Sequence, residues 1–264
     1  VELLTIPFSH YNERARWAMA HHGVVAHERR YLPMLHRAAV ARAVPKAQRL
    51  ADRTGSGLST PVLVLDDGTV INDSTKIVRW VDATYGTPET TLYPAAGRES
   101  IVALEKTFHD DIGRDTRFLA YWYIVGDGPT FAELVRHNVA GWQRAVFALG
   151  APIAKVAMRR GFALTQANYE KVRARLEAAV QSLGETLGDR DYFVGERFTA
   201  ADLTAAAMMS IVVLPVPGYG ARIPDIRGPY VELRDRLRAT ALGRHALRMF
   251  ERHRRVAPVG WTWA

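Results

Sequence analysis

The stretch STPVLVLDDGTVINDSTKIVRWVDATYG, residues 59–86, constrains the fold more than any other part of the chain. Val62 to Leu65 is a β-branched, apolar run of strand length. Asp67-Gly68 is a hairpin turn, because both central positions of the tightest two-residue turn need a positive φ. Thr69-Val70-Ile71 is then the returning strand. Asn72 or Asp73 can cap a helix in which Ile77, Val81 and Tyr85 share one face, with Trp80 beside them. Gly86 ends it. Upstream, Glu2 to Ile6 reads as a strand stopped by Pro7. His10 to His22 reads as a helix with Tyr11, Ala15, Ala18, Met19 and His22 at helical spacing, and Gly23 supplies the stop. Glu28 to Leu32 is a second, weaker strand. Residues 34–53 form an irregular Ala/Arg-rich helical segment broken by Gly55-Ser56-Gly57. The order is β-α-β-α-β-β-α, and its first half is a βαβ unit, so the first two strands should run parallel.

Residues 87–97, a Pro/Thr/Gly-rich run, separate this unit from a stretch that reads helical to its end. Arg98 to Ile124 carries one long pattern and Phe131 to Ala148 a second. Tyr169, Val172, Leu176, Ala179, Leu183 and Leu187 form an apolar stripe on a third. The expected architecture is an α/β domain over 1–86 and an all-α domain over 98–264. A chain of 264 residues, 48% of them hydrophobic, can hold two such cores. No apolar run approaches the ~18 residues of a membrane span. VELLTIPF lacks the basic start and long apolar core of a secretory signal. There is no cysteine, so disulfides, thiolate metal sites and protein thiol chemistry are excluded, and a cytoplasmic protein is the simplest fit. The net charge is +8, and Arg222 to Arg255 holds ten Lys/Arg against four Asp/Glu. Without zinc-finger, ribonucleoprotein or basic-zipper spacing, this reads as a solvated helical surface and not as a nucleic-acid face.

Three places can carry chemistry. Ser9 stands alone where the first strand gives way to a helix. Thr60-Pro61 opens the third strand, where a proline avoids spoiling the ladder. Asp73-Ser74 begins the third helix. A helix start is a cap site and, because free N–H groups and the dipole point outward there, also an anion site. A fourth motif, GERFTAADL, is a capping box with Thr199 as N-cap, Asp202 at N3 and Phe198 stapled to Leu203. Its role is structural.

FSHYNERARWAM, STPVLVLDDGTVINDSTKIV and GERFTAADLTAAAMM, in that order, resemble a glutathione S-transferase of the serine-type classes, similar to theta, zeta or omega. The resemblance implies a thioredoxin-like N-terminal domain and an all-helical C-terminal domain. It implies a cis Thr60-Pro61 bond, with the Thr60 backbone pairing with the peptide part of the co-substrate glutathione like an added strand. Ser74 would hold the γ-glutamyl carboxylate and Asp73 the ammonium. Ser9 would donate a hydrogen bond to the glutathione thiolate, with Tyr11 as second choice and Asn12 third. The reaction would be thiolate attack on an apolar electrophile in conjugation, dehalogenation or isomerisation, serving detoxification. Phe118, Tyr121 and Trp122 would line the pocket for that small molecule. The resemblance further implies a homodimer, no metal, no nucleic acid and no membrane span. With Ser9 and no cysteine, mixed-disulfide reduction by a protein thiol is excluded. The alternative is a noncatalytic glutathione- or partner-binding module on the same fold. The long segment before Thr60 offers His36, Arg37, Lys46 or Gln48 for a further glutathione contact. Arg14 and Arg16 read as surface or interdomain groups. Trp261 and Trp263 can form a lid, pack on the domain or fray.

Overall fold

In a computed structural model of the chain, residues 1–49, 57–214 and 220–264 are described. The break Gly55-Ser56-Gly57 therefore lies mostly outside the described residues.

The first domain follows the expected order. Strand β1 (Glu2–Thr5) leads to helix α1 (His10–His21), and β2 (His27–Arg30) pairs parallel with β1. Helix α2 (His36–Ala43) and a 3-10 turn (Lys46–Gln48) follow. The hairpin strands β3 (Val62–Val64) and β4 (Val70–Asn72) are antiparallel, β3 also pairs antiparallel with β1, and α3 (Ser74–Tyr85) closes the unit. Strand alternation divides the side chains between two layers. Leu3 and Leu63 pack with Ala15, Met19, Ile77 and Val81, which puts α1 and α3 on one face. Leu4 and Val62 pack with Val40 and Val44, which puts α2 on the other.

The C-terminus departs from expectation. Thr262–Trp263 forms β5, parallel to β2, at the edge of a sheet ordered β4-β3-β1-β2-β5. The chain's last residues thus belong to the first domain's sheet, and the range 98–264 is not wholly helical. The Arg30 guanidinium lies 4.6 Å from the Trp263 ring centre. The two tryptophans neither cover a site nor fray. The strand is two residues long and forms only because β2 offers an open edge, so no local pattern announces it.

The second domain begins with one rod built from α4 (Arg98–Thr107), a π-helical turn (Phe108–Ile112) and α5 (Gly113–Gly126). The expected helix over Phe131 to Ala148 is two helices, α6 (Gly128–Asn138) and α7 (Gly141–Gly161). Then come α8 (Gln166–Leu187), α9 (Ala200–Val213), α10 (Pro229–Arg238) and α11 (Ala241–His253). Every residue of α9 is buried. Its alanines let α1, α4, α5 and α11 pack closely around it. The capping box is present, with Asp202 accepting from the Thr199 N–H at 3.0 Å and from the Phe193 N–H at 2.8 Å. Among the described residues, no helix is long and apolar enough to cross a membrane.

Candidate functional site

The first turn of α1 sits where the two domains meet, and it faces two ways. One side looks at the proline loop and the start of α3. Ser9 is the N-cap of α1: its N–H donates to the Ile6 carbonyl at 3.0 Å and its carbonyl accepts from the Glu13 N–H at 2.9 Å. Its side chain makes no capping bond, and the half-buried hydroxyl has no partner among the described residues. Asn12, fully buried, donates from Nδ2 to Thr60 Oγ1 at 3.2 Å, while its Oδ1 has no partner among the described residues. The Thr60-Pro61 bond is cis. The β3 ladder starts at Val62, so the Thr60 backbone lies ahead of the paired strand. The Pro61 carbonyl accepts from the Asp73 N–H at 3.4 Å.

Asp73 and Ser74 stand at the N-terminus of α3, as expected. Asp73 Oδ1 caps the helix, accepting from the N–H groups of Thr75 at 2.8 Å and Lys76 at 3.2 Å. Its φ is 101°, in a region that favours glycine, so this turn holds local backbone strain. Ser74 is buried, and its hydroxyl lies 3.5 Å from an Arg14 nitrogen. The preceding residue, Asn72, was visible in the sequence only as a cap candidate. It is 6% exposed, neither side-chain amide atom has a partner among the described residues, and it lines a cavity of about 660 Å3 between the α2 side of the sheet and the hairpin. Gln48 and Lys76 share that wall; His36, Arg37 and Lys46 do not.

The other side of the turn looks at the π-helical turn. A π turn shifts the backbone register and leaves carbonyls available to outside donors. His10 Nε2 donates to the Gly113 carbonyl at 2.8 Å, and Tyr11 Oη donates to the His109 carbonyl at 3.0 Å. Burial, reinforced by the Arg117 charge, holds His10 down at about 3, so the ring is neutral. Burial pushes the Tyr11 phenol up, so it stays protonated and bound to its carbonyl. Gly113 is required here: a Cβ would come within 2.5 Å of Met208 Sδ and 2.7 Å of Tyr11 Oη.

Arg14 and Arg16 are not surface groups. Arg14 is fully buried between the domains, bonded to Glu105, to Thr75 Oγ1 at 2.9 Å and to His109 Nδ1 at 2.9 Å. Glu105 also takes Arg79 at 2.8 Å and the Tyr93 hydroxyl. Arg16 lies in a second buried cluster with Glu13 at 3.1 Å and Glu28 at 2.7 Å. Burial alone would raise Glu28, but Arg16, Arg30 and the Thr5 hydroxyl together hold it at about 2. A buried charge is tolerated only with partners, and periodicity does not reveal partners 91 residues apart, as Arg14 and Glu105 are.

The three aromatics of α5 separate. Phe118 lines a cavity of about 450 Å3 that Tyr11, His109 and Phe162 also line. Tyr121 is buried against Phe162, ring centres 4.6 Å apart, and is on no wall of that cavity. Trp122 stacks on Tyr169 at 4.9 Å and faces a different space of about 730 Å3. The structure therefore brings Ser9, Asn12, Thr60, Pro61, Asp73 and Ser74 to one end of the sheet, but does not gather Phe118, Tyr121 and Trp122 around one opening. Among the described residues, no group of His, Asp and Glu side chains is placed to hold a metal ion.

Comparison with known proteins points the same way. Residues 8–84 match the family model for the glutathione S-transferase N-terminal domain, and residues 166–241 match that for the C-terminal domain. No curated protein gives a significant sequence match. A glutathione S-transferase of Ceriporiopsis subvermispora, solved in complex with glutathione, is 18% identical with a TM-score of 0.62, covering 97% of this chain and 98% of its own. One from Methylobacillus flagellatus KT, solved with glutathione bound, is 21% identical with a TM-score of 0.56 over 95% of each chain. The beta-etherase LigF from Sphingobium sp. strain SYK-6 is 19% identical with a TM-score of 0.56, covering 94% of this chain and 98% of its own. At such identities the structural likeness speaks for the fold.

Proposed function

The chain belongs to the glutathione S-transferase superfamily, and from that premise we propose that it binds glutathione at the Ser9 end of α1 and activates its thiolate for attack on an electrophilic small molecule. The observation that carries this reading is the unengaged Ser9 hydroxyl at a helix N-terminus, beside the cis Thr60-Pro61 loop and the cap of α3. An unbound thiol has a pKa near 8.5, so only a few per cent is thiolate at neutral pH. A hydroxyl donor and the positive end of a helix each favour the anion.

In this reading Ser9 Oγ–H donates to the sulfur and is not itself a nucleophile. The sulfur forms the new bond to carbon and the thiol proton goes to solvent; the electron pair of the broken bond leaves with a halide or, where a π bond breaks, moves onto its electron-withdrawing group, which then takes a proton from solvent. Thr60 offers its backbone to the cysteinyl part of the tripeptide. Ser74 and the α3 N-terminus take the γ-glutamyl carboxylate, and Asp73 Oδ2, which has no partner among the described residues, takes the ammonium. Asn72 and Asn12 supply further buried amide atoms that a ligand can satisfy. Tyr11 is the weaker candidate for the sulfur, because its one proton is given to the His109 carbonyl.

Retention on immobilised glutathione followed by a conjugation assay with an aryl halide tests the reading. Retention with turnover supports it. Retention without turnover supports the noncatalytic glutathione-binding module instead, and no retention overturns both glutathione readings and leaves the partner-binding module.

A further inference from the structure

The cavity of about 450 Å3 beside Tyr11 is basic, not apolar. Four cations line it, and two are neutralised. Arg175 holds Asp115 through two bonds of 2.6 and 2.5 Å, and Arg114 lies 3.1 Å from the same carboxylate and 3.3 Å from Asp111. Asp110, also on the wall, is paired with Lys106. His109 accepts from Arg14, and its pKa is lowered by burial first and the Arg14 charge second, so it adds no positive charge near neutral pH. Arg117 and Lys171 remain without a carboxylate partner among the described residues.

Arg117 is the better placed of the two. It is half-buried, its Nε is buried without an acceptor, and its guanidinium carbon lies 5.4 Å from the Tyr11 ring centre and 5.8 Å from that of Phe162. Two aromatic rings thus flank the cation within cation–π range, and the fork of a guanidinium matches a planar carboxylate. Tyr11 is two residues from Ser9, so by helix geometry their Cα atoms lie about 5 Å apart, with Tyr11 turned to the π-helical turn and Ser9 to the proline loop.

The geometry points to an aryl acid as the second substrate: Arg117, assisted by Lys171, binds a carboxylate or sulfonate on the electrophile, while Tyr11, Phe118 and Phe162 bed its ring. This rests on the glutathione transferase reading and replaces the expected apolar electrophile with an anionic one. Arg117 here is a specificity residue that touches substrate away from the reacting carbon.

The test compares S-benzylglutathione with S-(4-carboxybenzyl)glutathione by calorimetric titration at low ionic strength. The expected result is a preference of at least about tenfold for the carboxylate. Arg117→Gln should reduce it to about twofold or less, and Arg117→Lys should keep part of it. If both conjugates bind wild type equally, or if Arg117→Gln leaves the preference intact, the inference is overturned while the glutathione reading stands. If neither conjugate binds wild type, the glutathione reading itself fails. Should Arg117→Gln not fold by circular dichroism, the wild-type pair and Arg117→Lys decide: equal binding, or a preference unchanged by 0.5 M salt, counts against the anion site.

Discussion

The two sides of the α1 first turn use the same kinds of side chain to opposite ends. Toward the π-helical turn, His10, Tyr11 and Arg14 each give a hydrogen bond to the second domain. Toward the proline loop, the Ser9 hydroxyl and Asn12 Oδ1 have no partner among the described residues, and the same holds for both amide atoms of Asn72 on the α2 side of the sheet. Buried polar atoms are nearly always paired, and each unpaired one costs about 1–3 kcal/mol. The first side is a joint between domains even though His10 Nδ1 and Arg14 Nε are themselves unpartnered among the described residues, and the second makes no such bonds across the domains and is the side proposed to take the ligand. The contrast makes a general prediction: substitutions on the joint side lower stability, and substitutions on the open side lower glutathione affinity or reactivity with little change in stability.

The largest effect should come from Arg14→Met. It removes a fully buried cation from Glu105, whose remaining partners are Arg79, half exposed, and the neutral Tyr93 hydroxyl. Breaking a buried pair from one side costs about 3–5 kcal/mol. Urea unfolding should show a loss of this size; a loss below about 1 kcal/mol would mean that the joint does not depend on this pair.

Acid should come next. His10 is held at about 3, below its ordinary 6.5, so between pH 6.5 and 3 the unfolded chain takes up a proton that the folded chain refuses. Glu28, held at about 2 below its ordinary 4.5, does the same between pH 4.5 and 2. For both groups the contribution is complete above the ordinary value and is lost as pH falls toward the folded value. Stability should fall by a few kcal/mol in two successive windows. His10→Gln should flatten the upper limb and Glu28→Gln the lower; curves parallel to wild type would contradict the assignment.

On the open side, Asn72→Ala should move stability by less than about 1 kcal/mol, because the amide it removes has no partner. Glutathione affinity should fall about tenfold, the worth of one good hydrogen bond. The reverse pattern, lost stability with unchanged affinity, would place Asn72 on the structural side of the comparison.

Much of the open side was legible because it is local. The Asp67-Gly68 turn, the cap of α3 and the Thr199–Asp202 box are each encoded within a few residues, and local chemistry suffices to read them. The joint was not legible, for a physical reason. Arg14 and Arg16 read as surface or interdomain groups; Arg14 is interdomain, but its partner Glu105 comes from 91 residues away and Arg16 is buried within a cluster of its own, and the π turn lies where α4 and α5 meet α1 and α9. The α5 aromatics were misleading in another way. Phe118 and Trp122 share a helix face four residues apart, yet Tyr169 on α8 captures Trp122 and divides the space between them. Asn72 was overlooked because a cap residue explains its position fully, and only the structure shows Asp73 doing the capping and leaving Asn72 unengaged.

The central claim is that Ser9, and not Tyr11, meets the glutathione sulfur. The direct measurement is the pKa of the bound glutathione thiol, followed by ultraviolet thiolate absorbance across pH in wild type, Ser9→Ala and Tyr11→Phe. A hydrogen bond to a charged atom is worth about 1.5–3 kcal/mol, or roughly 1–2 pH units. The account predicts a rise of that size in Ser9→Ala, a 10- to 100-fold loss of turnover at neutral pH that shrinks in alkali, and unfolding stability within about 1 kcal/mol of wild type. Tyr11→Phe should leave the thiol where it was and lower stability by about 1 kcal/mol through the lost bond to the His109 carbonyl. A raised thiol pKa in Tyr11→Phe beside a silent Ser9→Ala, or two silent variants, would contradict it.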